Sequence, residues 1–304
     1  MSKKVVIAGG SGLIGSKLTD KLLKSGWEVV ILTRGSNRVI SDKHRFANWN
    51  VESKKLPEEE LLSANAIINL AGRNLADKRL SGKFKNEVYK SRIDSTKLLV
   101  NFLNLSNSHC ETFVNSSAIG YFGYHRGDEP LNEDADPGNG FMAELCIDWE
   151  QEAKKLEGIR TVIVRIGVVL DAEEGAFNKL KQPILLGLGS ALASGRQFVS
   201  WIHIDDLVAS IEYALNNEKI EGTLNATAPN PVRNKYLIGQ MADSLNKAIL
   251  VPKVPAFALR LMVGELSEAL IGSLNVLPDQ LQKHNFLFAY PEVENAIRNL
   301  NWGK

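Results

Sequence analysis

Apolar and polar positions along this chain follow two alternating rhythms. Val5-Val6-Ile7-Ala8 is a continuous apolar run, Gly9 to Gly12 is a small-residue cluster, and Leu18, Leu22 and Leu23 then recur at helical spacing. That order predicts a buried strand, a tight turn and a helix that Gly26 ends. Residues 27–32, 66–72, 113–118 and 161–170 repeat the apolar run, and 222–226 is a last short strand. Helical spacing occupies 84–105, 141–156 and 208–215. Between these lie a polar stretch, 36–63, with a helix-start signal at Pro57-Glu58-Glu59-Glu60, and a long Gly/Pro/Asp-rich loop, 121–140. Loops of that length usually carry function.

Strands alternating with helices predict an α/β protein of the Rossmann type, a doubly wound parallel sheet. The texture changes at Pro229 and Pro231. Residues 1–228 therefore read as the sheet domain, with 171–202 contributing to a substrate cleft. Residues 229–304 read as a smaller, mainly helical domain, broken at Pro252, Pro255, Pro278 and Pro291, that caps the carboxyl edge of the sheet.

The opening turn carries chemistry. Gly9, Gly12 and Gly15 have the spacing G-x-x-G-x-x-G, a variant of the dinucleotide fingerprint. The first glycine turns the chain, the second lets backbone approach a pyrophosphate, and the third lets the helix pack close. With Ser11, Leu13 and Ile14 between them, they form a phosphate cradle at a helix N-terminus, where free N–H groups and the dipole favour an anion. At the end of the second strand an acid would select NAD through the ribose 2′-hydroxyl; this chain has Thr33, Arg34 and then Arg38, which suit the 2′-phosphate of NADP. Asn69, Leu70, Ala71 and Gly72 end another strand in small residues, which lets backbone pass close to a ligand. Glu87 and Arg92 lie early in the long helix 84–105 that follows this strand, where they could face the same cleft, and Ser116 and Ser117 end a further strand.

Composition narrows the setting. The 304 residues are 44% hydrophobic and 23% charged, with a formal net charge of +1. This balance supplies no electrostatic case for nucleic acid or an anionic membrane. Cys110 and Cys146 lack C-x-x-C spacing and sit among apolar residues, so buried reduced thiols and a cytoplasmic location are expected. No apolar run is long enough to span a membrane, and the first strand begins within four residues of the start. His203, Asp205 and Asp206 lack a third ligand at metal spacing, so no metal is expected.

With these motifs in place, the chain resembles the extended short-chain dehydrogenase/reductase superfamily. More narrowly it resembles the NAD(P)-dependent epimerase family branch with an added C-terminal domain of unknown function. The shared stretches are the glycine turn, Thr33-Arg34, Asn69 to Gly72, Ser91-Arg92, Gly187-Leu188-Gly189, Ser200 to Leu207 and Phe286 to Pro291. The resemblance implies NADP lined by Thr33, Arg34, Asn69, Leu70, Glu87, Arg92 and Val169. It also implies an oxidoreductase or epimerase acting on a small polar substrate, and a homodimer pairing through the helices at 84–105 and 141–156. Active members use a Ser or Thr after the fifth strand and a Tyr-x-x-x-Lys on the next helix for proton transfer. Here those positions hold Ala118, Phe141 and Leu145. Tyr121 and Ser117 are the candidates to replace them, and a non-catalytic NADP(H)-binding sensor or scaffold is the alternative.

Overall fold

The first apolar run forms β1 (Lys4–Ala8), and the computed structural model describes residues 3–249 and 252–300. After β1 come α1 (Leu13–Lys24), β2 (Glu28–Thr33), β3 (Arg38–Ser41), β4 (His44–Asn48), α2 (Glu58–Leu62), β5 (Ala66–Asn69), α3 (Gly82–Leu105) and β6 (Thr112–Ala118). The middle of the chain forms β7 (His125–Leu131), α4 (Phe141–Ala153), β8 (Arg160–Ile166), β9 (Val168–Leu170), α5 (Gly175–Leu185), β10 (Phe198–Val199), β11 (Trp201–His203), α6 (Ile204–Asn216) and β12 (Gly222–Ala226). Then follow β13 (Val232–Arg233), α7 (Asn234–Ser244), α8 (Ala256–Val263), α9 (Ser267–Ile271), β14 (Ser273–Val276), α10 (Asp279–Lys283) and α11 (Val293–Asn299).

Eight strands form one sheet in the order β12-β8-β6-β5-β1-β2-β4-β3. Every neighbouring pair is parallel except the edge hairpin β3–β4. Strand order reverses at β1, so the crevice between the carboxyl ends of β1 and β5 is the topological switch point, where ligands of such sheets bind. The register there pairs Ala8 with Asn69.

Both faces of the sheet are covered, which explains the unbroken apolar runs. Val5, Ile7, Val29 and Ile31 pack under α1 and α6 with Leu18, Leu22, Leu207 and Ile211. Val6, Ala8, Val30 and Leu32 face the other way, against Leu99 and Leu103 of α3 and Ala153 of α4. Each fully buried Val, Leu or Ile here is worth about 1.5–3 kcal/mol. A third cluster joins Leu170, Ile184 and Trp201 to Leu237, Met241, Val293 and Ile297, so the smaller lobe is built from two separated parts of the chain. Residues 250–251 and 301–304 of the expected cap lie outside the described residues.

The structure departs from the sequence pattern in three places. The polar stretch 36–63 holds the hairpin β3–β4, whose edge strand is exposed at every residue. The apolar run 161–170 is two strands: a Cβ on Gly167 would stand 2.8 Å from the Ser200 carbonyl oxygen. The close approach at that glycine lets β9 leave the main sheet and pair with β11. The long loop contains β7, which pairs in parallel with β14 from the far end of the chain. The tail is therefore not purely helical.

Side chains pin the tail to the sheet domain. The Asp206 carboxylate accepts the N–H groups of Ala289 and Tyr290 at 2.8 and 2.9 Å. Ser200 Oγ donates to the Leu274 carbonyl at 2.7 Å and accepts the Val276 N–H at 2.8 Å. His203 caps α6: its Nδ1 accepts the Asp205 N–H at 3.1 Å.

Candidate functional site

The glycine turn is tight where it must pack and open where a ligand would approach. Gly9 has φ +79°, and a Cβ there would stand 2.6 Å from the Leu70 carbonyl oxygen. A Cβ on Gly15 would stand 2.5 Å from Gly10 Cα, so α1 docks on the turn only because position 15 has no side chain. A Cβ on Gly10, a position the sequence pattern left aside, would meet the Ile31 side chain at 2.9 Å. Gly12 differs. Its Cβ would meet nothing nearer than the Gly9 carbonyl at 3.5 Å, and its backbone leads into α1 with no side chain capping the helix and no acid in its first turn. Free N–H groups facing open space, beside the carboxyl end of β5, fit a pyrophosphate.

At the end of β2 the loop is held in shape by short bonds. Thr33 Oγ1 accepts the Gly35 N–H at 3.1 Å, and Asn48 donates its side-chain amide to the Gly35 carbonyl at 2.6 Å. Asn37 in turn accepts the Asn48 N–H at 2.6 Å. Arg34 and Arg38 project from this loop, both exposed and, among the described residues, in no ion pair. The Arg38 guanidinium lies over the Phe46 ring at 4.5 Å. Asn48 was invisible to sequence reasoning because its role depends on the β2–β4 pairing.

The β5 wall is organised by a buried polar network. Asn69 is fully buried; its Nδ2 donates to Asn115 Oδ1 and Thr96 Oγ1, both at 2.8 Å, and its Oδ1 accepts the Ala71 N–H at 3.2 Å. Ser116 Oγ donates to the Asn69 carbonyl at 2.9 Å. These two side chains shape the Leu70-Ala71-Gly72 turn from behind. A Cβ on Gly72 would stand 3.0 Å from Arg92 Cζ. The Arg92 guanidinium donates to the Arg73 carbonyl at 3.0 Å and lies over Trp149 at 5.3 Å, with burial lowering its pKa. Glu87 accepts from Arg73 Nη1 at 2.6 Å on the rim. Leu13, Ile14, Leu70 and Val169 are all half-buried around the same core, and a Cβ on Gly175, opening α5, would lie 3.6 Å from Leu13 Cδ2.

At the expected reacting end the proton-transfer groups are occupied or missing. Ser117 Oγ donates to Glu150 Oε1 at 2.7 Å, and Arg165 holds both oxygens of that carboxylate at 2.8 and 2.9 Å. All three side chains are buried. The Arg165 guanidinium also lies 3.4 Å over the ring of Tyr121, which is half-buried. Phe141 opens α4 beneath Lys85, whose ammonium is 5.1 Å from the ring, and Leu145 is buried in the core. Tyr124, which no sequence signal singled out, places its hydroxyl 3.7 Å from where a Gly120 Cβ would be; burial pushes its pKa up, so it remains a protonated phenol. Burial likewise raises the Cys146 thiol to about 11 and the Cys110 thiol to about 12, and both are free and buried. No group of three or more metal-ligating side chains occurs among the described residues.

The model of the NAD dependent epimerase/dehydratase family matches residues 5–226, and that of a domain of unknown function matches 254–300. The chain belongs to this epimerase/dehydratase family. An epimerase family protein of Staphylococcus saprophyticus is 34% identical over 306 residues, covering 98% of this chain and 99% of the relative. One from Mycobacterium bovis is 33% identical over 296 residues, covering 96% of each. Among solved structures, the human epimerase family protein SDR39U1 with NADPH matches with a TM-score of 0.88 at 29% identity, covering 98% of this chain and 99% of that one. A nucleoside-diphosphate sugar epimerase from Corynebacterium glutamicum matches with a TM-score of 0.80 at 28% identity, covering 99% of this chain and 59% of that one. The superfamily resemblance, the Rossmann-type sheet and the added C-terminal segment are thereby borne out. No helix among the described residues is long and apolar enough to cross a membrane.

Proposed function

We infer that the protein binds NADP(H) in the crevice at the switch point and senses or presents it without the usual proton relay. The observation that carries this reading is the contrast within one site. The phosphate cradle is complete, with Gly12 open between the tightly packed Gly9 and Gly15, whereas Ala118, Phe141 and Leu145 carry no titratable group and Ser117 is spent on a buried carboxylate. In this reading the α1 N-terminus holds the pyrophosphate, Arg34 and Arg38 hold the 2′-phosphate, and the Leu70 to Gly72 backbone passes beside the adenosine ribose. Arg92 and Glu87 stand at the mouth. The neighbour SDR39U1, solved with NADPH, supports the choice of NADP over NAD. When bound, the nicotinamide would supply a hydride donor or acceptor.

The selectivity is tested by titrating NADPH and NADH against the protein by fluorescence. NADPH should bind at least tenfold more tightly. Arg34→Ala should remove about 1–3 kcal/mol of NADPH affinity and leave NADH unchanged, because a phosphate–guanidinium pair is a charge-assisted hydrogen bond. Equal affinity for the two cofactors would overturn the assignment.

A second reading, an oxidoreductase or epimerase on a small polar substrate, is favoured by the Tyr121 and Tyr124 phenols near the end of β6. Incubating the NADPH-loaded protein with carbonyl compounds and nucleotide sugars decides between them. Cofactor oxidation or sugar isomerisation that disappears in Tyr121→Phe or Tyr124→Phe would establish turnover.

A further inference from the structure

Arg34 and Arg38 can hold one phosphate together only if the loop between them keeps a single shape. That loop contains Gly35 and Ser36, and every residue from Arg34 to Ser41 is exposed, so burial does not fix it. We propose, resting on the NADP(H) reading above, that Asn48 of the neighbouring strand β4 is a positioning residue: by closing this loop it sets the preference for NADPH over NADH. Thr33 and Asn48 are paired at the carboxyl ends of β2 and β4, so the Asn48 side chain stands where the arginine loop begins. Its Nδ2 donates to the Gly35 carbonyl at 2.6 Å and to the Arg34 carbonyl at 3.4 Å. Its N–H donates to Asn37 Oδ1 at 2.6 Å, just past the last β3–β4 pair, Arg38 with Phe46. The loop is therefore tied down on both sides of Ser36.

Strand alternation aims this support. Ala47 and Trp49 pack with Leu99 and Leu103 of α3, whereas Phe46 packs on the opposite face with Leu18 and Leu22 of α1. Asn48, two residues on from Phe46, shares that face, and the N-terminus of α1 is the pyrophosphate cradle. Phe46 also lies under the Arg38 guanidinium at 4.5 Å, so β4 supports both arginines. The chemistry calls for an amide at position 48. Two backbone carbonyls need a donor, which a carboxylate is not, and an aspartate would also set a negative charge beside the phosphate. Asparagine donates and stays neutral. Without it the flexible Gly35-Ser36 link has to be ordered at the moment of binding, which weakens any ligand that uses the arginines. NADH has no 2′-phosphate and does not use them.

The test is fluorescence titration of the full chain with NADPH and NADH, and calorimetric titration with 2′,5′-ADP and ADP to isolate the adenosine end. Asn48→Ala should weaken NADPH and 2′,5′-ADP by about fivefold or more and change NADH and ADP by less than about twofold. Asn48→Asp, which keeps the shape of the side chain, should weaken NADPH further still. In an Arg34→Ala, Arg38→Ala background, Asn48→Ala should have no additional effect on NADPH, because the loop then has no guanidinium to present. A merely structural role would weaken all four ligands alike, and that result overturns the proposal, as does an Asn48→Ala effect that persists in the double-alanine background. A preference for NADPH that survives both Asn48→Ala and Asn48→Asp overturns the role of Asn48 alone. No preference in the wild type overturns the cofactor assignment itself, and the role of Asn48 with it.

Discussion

At the scale of single residues, three glycines of one motif do three different jobs, and substitution separates them. Gly15→Ala forces a Cβ into the Gly10 backbone and should cost about 1–3 kcal/mol of stability in urea denaturation. Gly12 has an ordinary φ of −82° and open space before it, so Gly12→Ala should change stability by less than about 0.5 kcal/mol. The same methyl stands where phosphate oxygens would sit, so NADPH affinity should fall at least tenfold. His203 yields a pH prediction. Burial holds its imidazole below the usual value, outweighing Asp205 and Asp206, which act the other way. The unfolded chain then binds the proton more readily than the folded one. Stability should rise with pH from the depressed value up to the ordinary one near ~6.5, by at most about 1.4 kcal/mol per pH unit, and be lost as pH falls. His203→Asn keeps a capping side chain, and its stability-against-pH slope in that window should be flatter than that of the wild type.

Among elements, the Ser117–Glu150–Arg165 network ties β6, α4 and β8 together beneath the reacting end of the crevice. Glu150→Gln leaves Arg165 buried without its counter-ion and should cost about 3–5 kcal/mol in chemical denaturation. Ser117→Ala should cost about 1–3 kcal/mol. A loss in Ser117→Ala confined to NADPH-dependent turnover, with stability intact, would contradict this account. Sequence reading placed Ser117 correctly at a strand end. It could not see that Glu150, 33 residues along the chain, accepts from that hydroxyl, or that Arg165, a further 15 residues on, holds the same carboxylate. The β1-turn-α1 unit was legible because its apolar run, glycines and helical spacing are contiguous. The strand β7 was not: its residues are mostly exposed and polar, and what makes them a strand is β14, more than 140 residues away.

For the whole molecule, the third core decides how the two lobes behave. Because it mixes Leu170, Ile184 and Trp201 with Leu237, Met241 and Val293, the tail has no separate core to keep when the sheet domain unfolds. Calorimetry should show one transition, with matching calorimetric and van't Hoff enthalpies; two resolved transitions would refute the shared core.

By itself the sequence determined the sheet class and the strand–glycine turn–helix unit that opens it, since both rest on residue types at short, fixed spacing. The tertiary structure alone decided that Ser117 is bound to Glu150, that Asn69 and Ser116 shape the β5 turn from behind, and that His203 caps α6. It also decided that the tail enters the sheet domain as a strand. These outcomes depend on long-range pairing and on burial, and neither leaves a periodic trace along the chain.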